Sequence, residues 1–390
     1  MTVPPGLESP GPGAGPDGVP AAIALSPILS SRYRPADLER IRAAAPGARI
    51  VSVSFEGLAD GDLGDVEVLM RGALPGEIFV RVLSRSPRLR WVHSATAGVE
   101  RVLTPGTIER GLTITNARGV FSRPIAEYVI AMILAVSRRL PGILELQRER
   151  TWQPLVGVEM RDLTLGIVGL GSIGRTVARL GAAFGARVIA TRRRPGQPRG
   201  PEWYGEEAAS QAPDASWERG PEPPGGPELL HGPELLGGPE PPGGPELLGG
   251  PELLGGPEAL PRLLGESDFV VLALPLTHET EGVIDDGALA AMRRGAWLIN
   301  IARGRLVDER ALERALREGR IGGAILDTFR DEPLPPDSPL WSVPNLIVTP
   351  HTSWSTGGAL DRSVALFCEN LGRYRRGEPL LNVVDPALGY

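Results

Sequence analysis

The sequence predicts an α/β protein with two parallel sheets, and three observations lead to this fold class. Short apolar or β-branched runs alternate with amphipathic helical stretches along most of the chain. A glycine-rich turn joins one of these runs to a helix near the middle of the chain. The 390 residues leave, without their low-complexity parts, about 300 residues, which suffices for two cores. Parallel strands covered by helices on both faces fit this pattern.

The first part of the chain is predicted to form one sheet with its helices. Strands are expected where the apolar runs fall, at residues 21–26, 49–55, 66–70, 89–96 and 112–117. Helices are expected at residues 35–45, 75–86 and 122–140. The helix over 122–140 has apolar residues at helical spacing, so it either lies in a core or joins two domains.

The second part of the chain repeats the alternation of strands and helices. The predicted strands are residues 163–169, 187–191, 268–274, 296–302, 321–328 and 346–349. The predicted helices are residues 172–185, 258–264, 285–292, 308–318 and 356–376. This alternation predicts a second parallel sheet with its own helices.

Two segments differ from the globular pattern in composition. Residues 1–20 contain six Pro and five Gly and are expected to form a disordered tail. Residues 195–261 are a low-complexity insertion, and its part 220–261 repeats the hexad Gly-Pro-Glu-Leu-Leu-Gly. Proline and paired glycines disfavour a helix or a packed strand, so a disordered loop is expected, with a tether for a partner or for self-association as the alternative. The repeat holds seven Glu and no basic residue, which accounts for the formal charge of −6.

The use of residue types excludes several classes of protein. The chain has no lysine: all 41 of its Lys and Arg residues are arginine. This excludes Schiff-base chemistry and the P-loop lysine. The single cysteine, Cys368, excludes an intrachain disulfide, and with only four His no metal is expected. The N-terminus has no apolar run of the kind found in signal peptides, and no apolar stretch is long enough to cross a bilayer. We therefore expect a cytoplasmic protein without membrane or nucleic-acid partners.

A glycine pattern typical of dinucleotide binding opens the second part of the chain. Gly169, Gly171 and Gly174 have the spacing G-x-G-x-x-G, end an apolar run and open a helix. Such glycines allow a tight turn and a close approach to a pyrophosphate, which the N–H groups at the helix N-terminus bind. Together with Ser172 and Ile173 they form the predicted phosphate site of a Rossmann-type domain.

The residues after the next predicted strand bear on the choice of cofactor. NAD-binding domains carry an acidic residue about 20 positions beyond the glycines, where it binds the ribose hydroxyls. Here Thr191 is followed by Arg192, Arg193 and Arg194. Arginine at this point can accommodate a 2′-phosphate, so NADP(H) is the expected cofactor, with NAD(H) possible. The other interpretation of the three arginines is a solvated charge cluster.

Three polar side chains follow the last three predicted strands of the second part. They are, in chain order, Arg303, Glu332 and His351. Each by itself would more often be a surface ion pair or a structural group. Ligands of open parallel sheets, however, collect at the carboxyl ends of the strands. Arg, Glu and His together can anchor a carboxylate, polarise a carbonyl and deliver a proton.

The ordered motifs of the chain resemble those of the D-isomer-specific 2-hydroxyacid dehydrogenases. The matching stretches are residues 94–99, 125–128, 165–174, 273–277, 301–304, 327–335 and 350–351. The resemblance implies a flavodoxin-like substrate domain at 21–121, completed by 353–390, and a Rossmann-type NAD(P)-binding domain at 122–352. It also implies a homodimer formed through the central domain and the helix at 122–140.

The resemblance implies catalytic roles for residues at the matching positions. His351 would be the general acid that protonates the carbonyl oxygen of the substrate. Glu332 would hydrogen-bond to it and favour its charged form. Arg303 would bind the substrate carboxylate, together with the backbone N–H groups of Ala97 and Gly98.

Cofactor contacts follow from the same resemblance. Asp327 would accept a hydrogen bond from the nicotinamide carboxamide. The full set of expected cofactor-binding residues is Gly169, Gly171, Ser172, Ile173, Gly174, Arg192, Arg193, Leu274, Pro275, Ile301, Arg303, Asp327 and His351. The sequence departs from the family in two places: Glu100 stands where Asp is common, and the family has no insertion like the hexad repeat.

The resemblance implies an oxidoreductase that reduces a small 2-keto acid to the D-2-hydroxy acid with NAD(P)H. Glyoxylate and hydroxypyruvate are the first substrates expected, and 3-phosphoglycerate is less favoured. The alternative is a nucleotide-sensing protein similar to the transcriptional co-repressors of the family. Such a protein would bind NAD(P)H tightly and reduce keto acids slowly or not at all.

Overall fold

The computed structural model describes residues 16–28, 33–193 and 251–387. The strands form two parallel sheets, one of five strands and one of seven. Apolar cores lie on both faces of each sheet. The predicted α/β fold class is therefore confirmed.

The first sheet has the strand order of flavodoxin-like folds. Its strands are β1 (Ala22–Leu25), β2 (Arg49–Ser52), β3 (Val66–Arg71), β4 (Trp91–Ser94) and β5 (Thr113–Thr115), in the order β2-β1-β3-β4-β5. The helices α1 (Pro35–Ala44), α2 (Gly76–Ser84) and α3 (Pro105–Glu109) lie between the strands in sequence. The sequence pattern predicts all of these elements except the five-residue α3.

Two helices follow the first sheet. In α4 (Ser122–Ser137), Ile125, Val129 and Ile133 are buried at helical spacing. The helix ends before the predicted bound because Arg139 adopts a left-handed backbone with a φ of 60°. A separate helix, α5 (Leu140–Arg148), then begins with a proline in its first turn.

The second sheet has the strand order of a Rossmann domain with one additional strand. Its strands are β6 (Thr164–Val168), β7 (Arg187–Thr191), β8 (Glu252–Gly255), β9 (Phe269–Leu272), β10 (Trp297–Asn300), β11 (Gly323–Leu326) and β12 (Leu346–Val348), in the order β12-β11-β10-β9-β6-β7-β8. Its helices are α6 (Ser172–Ala183), α7 (Leu260–Glu266), α8 (Asp286–Ala291) and α9 (Glu309–Arg317). Because all neighbours are parallel, the carboxyl ends of the strands share one edge.

The strand β8 corrects the prediction that the hexad repeat holds no packed strand. Its residues belong to the predicted insertion and pair in parallel with β7. Leu254 packs against the core of the sheet, and the carboxylate of Glu252 lies 3.0 Å from the guanidinium of Arg187 on β7. Pairing with a strand edge and this apolar contact stabilise a segment whose composition does not favour a strand. Residues 194–250 lie outside the described residues.

The last helix, α10 (Ala359–Arg376), returns to the first sheet and packs beside α1. Phe367 and Tyr374 of α10 lie in one core with Trp91 of β4, and the rings of Tyr374 and Trp91 stack with centroids 5.6 Å apart. Both ends of the chain therefore build one unit. For these two units we keep the names that the resemblance implies: the substrate domain around the first sheet and the nucleotide domain around the second.

Residues 16–20 correct the predicted disordered tail at 1–20. Pro16–Gly18 form a 3₁₀ turn that contacts α10. Val19 is 7% exposed and lies in the same core as Phe367. Burial of this side chain against α10 explains why the ordered chain begins earlier than composition predicts. Residues 1–15 lie outside the described residues.

Candidate active site

The three residues predicted to be catalytic lie at the ends of adjacent strands. Arg303 follows β10, Glu332 follows β11 and His351 follows β12, and these strands are neighbours in the sheet. The charges of both Arg303 and His351 act on the Glu332 carboxyl. The three side chains therefore form one cluster at the carboxyl edge of the nucleotide domain.

His351 and Glu332 form a hydrogen-bonded pair. Nδ1 of His351 lies 2.8 Å from Oε2 of Glu332, and the other carboxylate oxygen accepts the N–H of Phe329 at 2.9 Å. His351 has a φ of 51°, a backbone conformation that non-glycine residues rarely adopt and that clusters at functional sites. The side chain is 40% exposed, and Nε2 has no hydrogen-bond partner among the described residues. This nitrogen is available to a ligand.

The environment of Glu332 keeps its carboxyl ionised. Partial burial raises its pKa, but the hydrogen bonds from His351 and Phe329 and the charges of His351 and Arg303 together lower it by more. The pKa of Glu332 therefore lies below its ordinary range. An ionised carboxylate at Nδ1 favours the tautomer with a proton on that nitrogen and stabilises a positive charge on the ring.

Arg303 reaches from the nucleotide domain to the substrate domain. Its Nε donates to Oε1 of Glu100 at 3.0 Å, and its Nη2 donates to Oε2 at 3.3 Å. Nη1 donates to the carbonyl of Ala302 at 2.7 Å. The side-chain amide of Asn300 also holds the carbonyl of Arg303 at 2.8 Å. The arginine is thus fixed at both its backbone and its guanidinium.

The loop after β4 lies directly against this guanidinium. A Cβ on Gly98 would overlap Nη2 of Arg303, so the close approach requires glycine. The hydroxyl of Thr96 holds the carbonyl of Gly98 at 2.8 Å, and the amide of Asn116 holds the carbonyl of Ala97 at 2.9 Å. The N–H groups of Ala97 and Gly98 have no acceptor among the described residues. Open N–H groups beside a guanidinium suit an anion.

Asp327 is fully buried beneath the loop that carries His351. Its Oδ1 accepts the hydroxyl of Thr349 at 2.6 Å and the N–H of Thr352 at 2.8 Å, and its Oδ2 accepts the N–H of Ser353 at 2.9 Å. These donors flank His351 on both sides in sequence. Asp327 therefore fixes the position of the loop that carries His351.

Tyr128 of α4 extends the network of Asp327, and the sequence pattern does not identify it as a site residue. Its hydroxyl lies 2.7 Å from Oγ1 of Thr349. Burial raises the pKa of Tyr128 to about 12, so the phenol stays neutral. Tyr128 belongs to the stretch 125–128 that matches the family, and this is the signal that could have identified it.

The three glycines of the turn after β6 have distinct surroundings. Gly169 has a φ of 99°, which L side chains rarely adopt. A Cβ on Gly174 would overlap the carbonyl of Gly169, so helix and turn pack closely there. A Cβ on Gly171 would have one neighbour, the carbonyl of Ala273 at 3.8 Å. There is therefore free space beside Gly171, where a ligand could approach the backbone, and none beside Gly174.

The N-terminus of α6 fits a bound phosphate. The first N–H that bonds within this helix region is that of Arg175, which donates to the carbonyl of Gly171 at 3.0 Å. In the described part of the chain, the N–H groups of Ser172, Ile173 and Gly174 have no acceptor. These three N–H donors without acceptors, next to the open space at Gly171, fit the pyrophosphate of a dinucleotide.

Further predicted cofactor residues lie along the same strand edge. Leu274 packs against Gly169 just beyond β9, and Pro275 after it is exposed. Ile301 follows β10 and is 5% exposed. Beyond β7, the N–H of Arg192 donates to the carbonyl of Gly255 at 3.0 Å.

Arg193, the second arginine after β7, is paired with a carboxylate of the protein itself. Arg193 forms an ion pair with Glu279 at 2.9 Å, and the side chain of Glu279 is 66% exposed. Arg194 lies outside the described residues. Charged donors rather than an acidic residue therefore follow β7, as the sequence indicates.

Comparisons with known proteins agree with this geometry. The family described as D-isomer specific 2-hydroxyacid dehydrogenase, NAD binding domain, matches residues 130–213 and 253–353. The glyoxylate reductase of Korarchaeum cryptofilum is 31% identical over 318 residues, which cover 80% of this chain and 81% of that protein. The chain belongs to the D-isomer-specific 2-hydroxyacid dehydrogenase family. It is an NAD(P)-dependent enzyme of this class.

Solved structures of such dehydrogenases superpose on the chain. The enzyme of Xanthobacter autotrophicus Py2 in complex with NADPH and MES has a TM-score of 0.73 and 29% identity, and the match covers 95% of this chain and 100% of that one. The NADPH-dependent glyoxylate/hydroxypyruvate reductase of Sinorhizobium meliloti in complex with NADP and sulfate has a TM-score of 0.71 and 26% identity, with coverage of 95% and 100%. The predicted Rossmann-type domain is confirmed.

Three further residues of the dehydrogenase, His93, Cys368 and Trp354, are buried or packed against other side chains in ways that explain them as structural residues. His93 is fully buried, its Nδ1 lies 2.8 Å from Oγ1 of Thr115, and burial lowers its pKa to about 3. Burial likewise raises the pKa of Cys368 to about 11. Trp354 packs edge-on against Phe121 with ring centroids 6.1 Å apart.

The described residues contain neither a metal-site cluster nor a helix that could span a membrane. Among them, no group of three or more His, Cys, Asp or Glu side chains has the arrangement of a metal site. None of the described helices combines the length and the apolar character that crossing a bilayer requires.

Proposed function

We propose that this dehydrogenase reduces glyoxylate to glycolate and hydroxypyruvate to D-glycerate, with His351, Glu332 and Arg303 as its catalytic residues. The observation that carries the proposal is the hydrogen bond between His351 and Glu332, with Nε2 available and Arg303 in the same cluster. A general acid, a carboxylate that stabilises its charged form and a fixed guanidinium are the groups that keto acid reduction needs.

The substrate carboxylate binds between the two domains. Arg303 supplies two charged N–H donors, and the open N–H groups of Ala97 and Gly98 supply neutral ones. This arrangement orients the keto acid so that its carbonyl oxygen faces Nε2 of His351. A bound nicotinamide would supply the hydride, and His351 would protonate the carbonyl oxygen. Glu332 stabilises the charged imidazole before the transfer and the Nδ1–H tautomer after it.

The relatives of the chain support the proposal that its substrate is a small keto acid. The related proteins include the glyoxylate reductase of Korarchaeum cryptofilum and the glyoxylate/hydroxypyruvate reductase of Sinorhizobium meliloti. A two-carbon or three-carbon keto acid offers one carboxylate and one carbonyl, which the donors described above would bind. The cytoplasmic location stays a prediction from the sequence.

NADPH is the preferred cofactor in this proposal, with NADH possible. Support comes from Arg192 and Arg193, which stand where an NAD-specific domain has a carboxylate. Gly169, Gly171, Ser172, Ile173 and Gly174 would hold the pyrophosphate of the cofactor. The remaining contacts in the proposal come from Leu274, Pro275, Ile301, Arg303, Asp327 and His351, with Asp327 accepting from the nicotinamide carboxamide.

The dehydrogenase acts as a homodimer in this proposal. Support comes from α5, where Leu140, Ile143 and Leu144 are 43–45% exposed, and from Trp152 in the following segment, which is fully exposed. Apolar side chains grouped in this way mark interaction surfaces. Light scattering coupled to gel filtration should give the mass of a dimer, and Leu144→Asp should shift it to that of a monomer. A monomeric wild type would contradict this part of the proposal.

A keto acid panel tests the proposed reaction. With NADPH, the loss of reduced-nicotinamide absorbance should be fastest with glyoxylate or hydroxypyruvate. In the reverse direction the enzyme should oxidise D-glycerate and leave L-glycerate unchanged. Tight binding of NADPH without turnover of any keto acid would contradict the proposal and favour the nucleotide-sensing alternative.

A further inference from the structure

Glu100 approaches the guanidinium of Arg303 along one side. Its carboxylate accepts from Nε at 3.0 Å and from Nη2 at 3.3 Å, and the carbonyl of Ala302 accepts from Nη1 at 2.7 Å. A guanidinium has five N–H donors. Within the described part of the chain, two donors therefore remain without an acceptor, one on Nη1 and one on Nη2.

The remaining donor on Nη2 lies close to the loop after β4. Nη2 touches Gly98, where a Cβ would overlap it. The N–H groups of Gly98 and Ala97 lack an acceptor in the described part of the chain. A Cβ on Gly98 would also lie 2.6 Å from Oε2 of Glu100, so the paired carboxylate and guanidinium both adjoin the loop at Gly98.

We propose that Glu100 is a positioning residue for Arg303. It holds the guanidinium across the boundary between the two domains, in the orientation in which the free donors and the loop N–H groups meet one substrate carboxylate. The proposal rests on the role of Arg303 proposed above. Glu100 itself acts through Arg303, with which it pairs from the other domain.

The physical argument predicts an effect on turnover rather than on stability or substrate affinity. Exposed ion pairs contribute little to stability, and the side chains of Arg303 and Glu100 are 34% and 40% exposed. A misplacement of a binding group by about 1 Å can slow a reaction by about a hundredfold. Removal of the negative charge leaves Arg303 more attractive to an anion, so KM does not rise.

Glu100→Gln and a matched control test the proposal. The control is Glu281→Gln, because Glu281 pairs with Arg305 at 2.7 Å and has a similar exposure of 38%. With NADPH and glyoxylate, Glu100→Gln should lower kcat by about tenfold to a hundredfold, with KM unchanged or lower and the same melting temperature. Glu281→Gln should keep wild-type kinetics. Glu100→Asp, which retains the carboxylate, should recover part of the loss.

A double-mutant cycle shows whether Glu100 acts through Arg303. In an Arg303→Lys background, Glu100→Gln should cause little further loss of kcat, because the pair is already broken. Wild-type kcat in Glu100→Gln, a raised KM with unchanged kcat, or an equal loss in both backgrounds would overturn the role of Glu100. Full activity of Arg303→Lys, or a wild type without turnover, would instead contradict the proposed function.

Discussion

Nδ1 of His351 lies 2.8 Å from Oε2 of Glu332, although 19 positions separate the two residues and each follows a different strand. The sheet brings them together because β11 and β12 are parallel neighbours whose carboxyl ends coincide. Since the pKa of Glu332 lies below its ordinary range, the partner of the imidazole carries a negative charge throughout the neutral range. This pair gives the first two predictions.

Replacement of His351 by alanine should remove the proton donor. We expect kcat for the best keto acid to fall by about 10²–10⁴-fold, the usual contribution of a general acid. His278→Ala is the control, because this histidine is exposed. Steady-state kinetics with NADPH measure the effect, and circular dichroism checks the fold. Retention of more than about a tenth of wild-type kcat would mean that another group supplies the proton.

Replacement of Glu332 by glutamine should shift the pH dependence of both directions of the reaction. Reduction requires a charged imidazole and oxidation requires a neutral one. Loss of the carboxylate disfavours the charged form. The fall in reduction rate and the rise in oxidation rate should therefore both begin at a lower pH than in the wild type. Profiles of kcat/KM that coincide with those of the wild type would exclude this role for Glu332.

Cofactor preference should follow the charge after β7. A hydrogen bond to a charged group contributes about 1.5–3 kcal/mol, so kcat/KM for NADPH should exceed that for NADH by at least about tenfold at low salt. The ratio should narrow as salt rises. Arg192→Asp should abolish or reverse it, whereas Arg314→Asp, the same charge change at an exposed position of α9, should not. Equal use of both cofactors by the wild type would mean that these arginines do not bind the 2′-phosphate.

The hexad repeat should divide into a dispensable and a necessary part. Deletion of residues 220–249 keeps β8 and should leave activity and melting temperature nearly unchanged, because closure entropy depends weakly on loop length. Deletion of residues 220–255 also removes β8, with the packing of Leu254 and the ion pair of Glu252 with Arg187. This second variant should melt at a lower temperature. Thermal unfolding measures both, and equal effects would contradict the division.

Burial of His93 should make stability fall in mild acid. Its pKa is lowered from 6.5 to about 3 by burial, so only the unfolded chain takes up a proton between these values. Stability therefore decreases as the pH drops below 6.5, by about 1.4 kcal/mol per pH unit. His93→Asn should reduce the loss seen between urea unfolding at pH 7 and at pH 5. His278→Asn, at an exposed site, should behave as the wild type, and an unchanged pH dependence in His93→Asn would contradict the argument.

The sequence predicts the elements whose patterning is local. Strands such as β6 and β9 are runs of buried apolar residues between turn signals, and α6 begins at its glycine turn. β8 is missed because Glu-Leu-Leu-Gly contains no β-branched residue and gains its stability from β7. The end of α4 is missed because the left-handed backbone of Arg139 is a conformation that the sequence pattern does not mark.

In the site, too, the features that follow from local sequence patterns are predicted, and those that depend on long-range packing are not. Arg303, Glu332 and His351 each follow a strand, and parallel pairing brings such positions together. The contacts between Arg303 and Glu100, and between Tyr128 and Thr349, join residues 203 and 221 positions apart. They depend on how the substrate domain and α4 pack on the second sheet. Neither spacing nor composition carries that information.

The edge strand β8 is formed by a stretch of sequence that the chain carries more than once. Pro-Glu-Leu-Leu-Gly-Gly occurs at residues 245–250 and again at 251–256, which contain β8. In-frame loss of either copy gives an identical chain, because the preceding copy then stands before α7. Loss or gain of whole hexads can therefore shorten or lengthen the insertion while the leucine and the glutamate that pair with β7 are kept. The chain can change in length at this point without the sheet losing a strand.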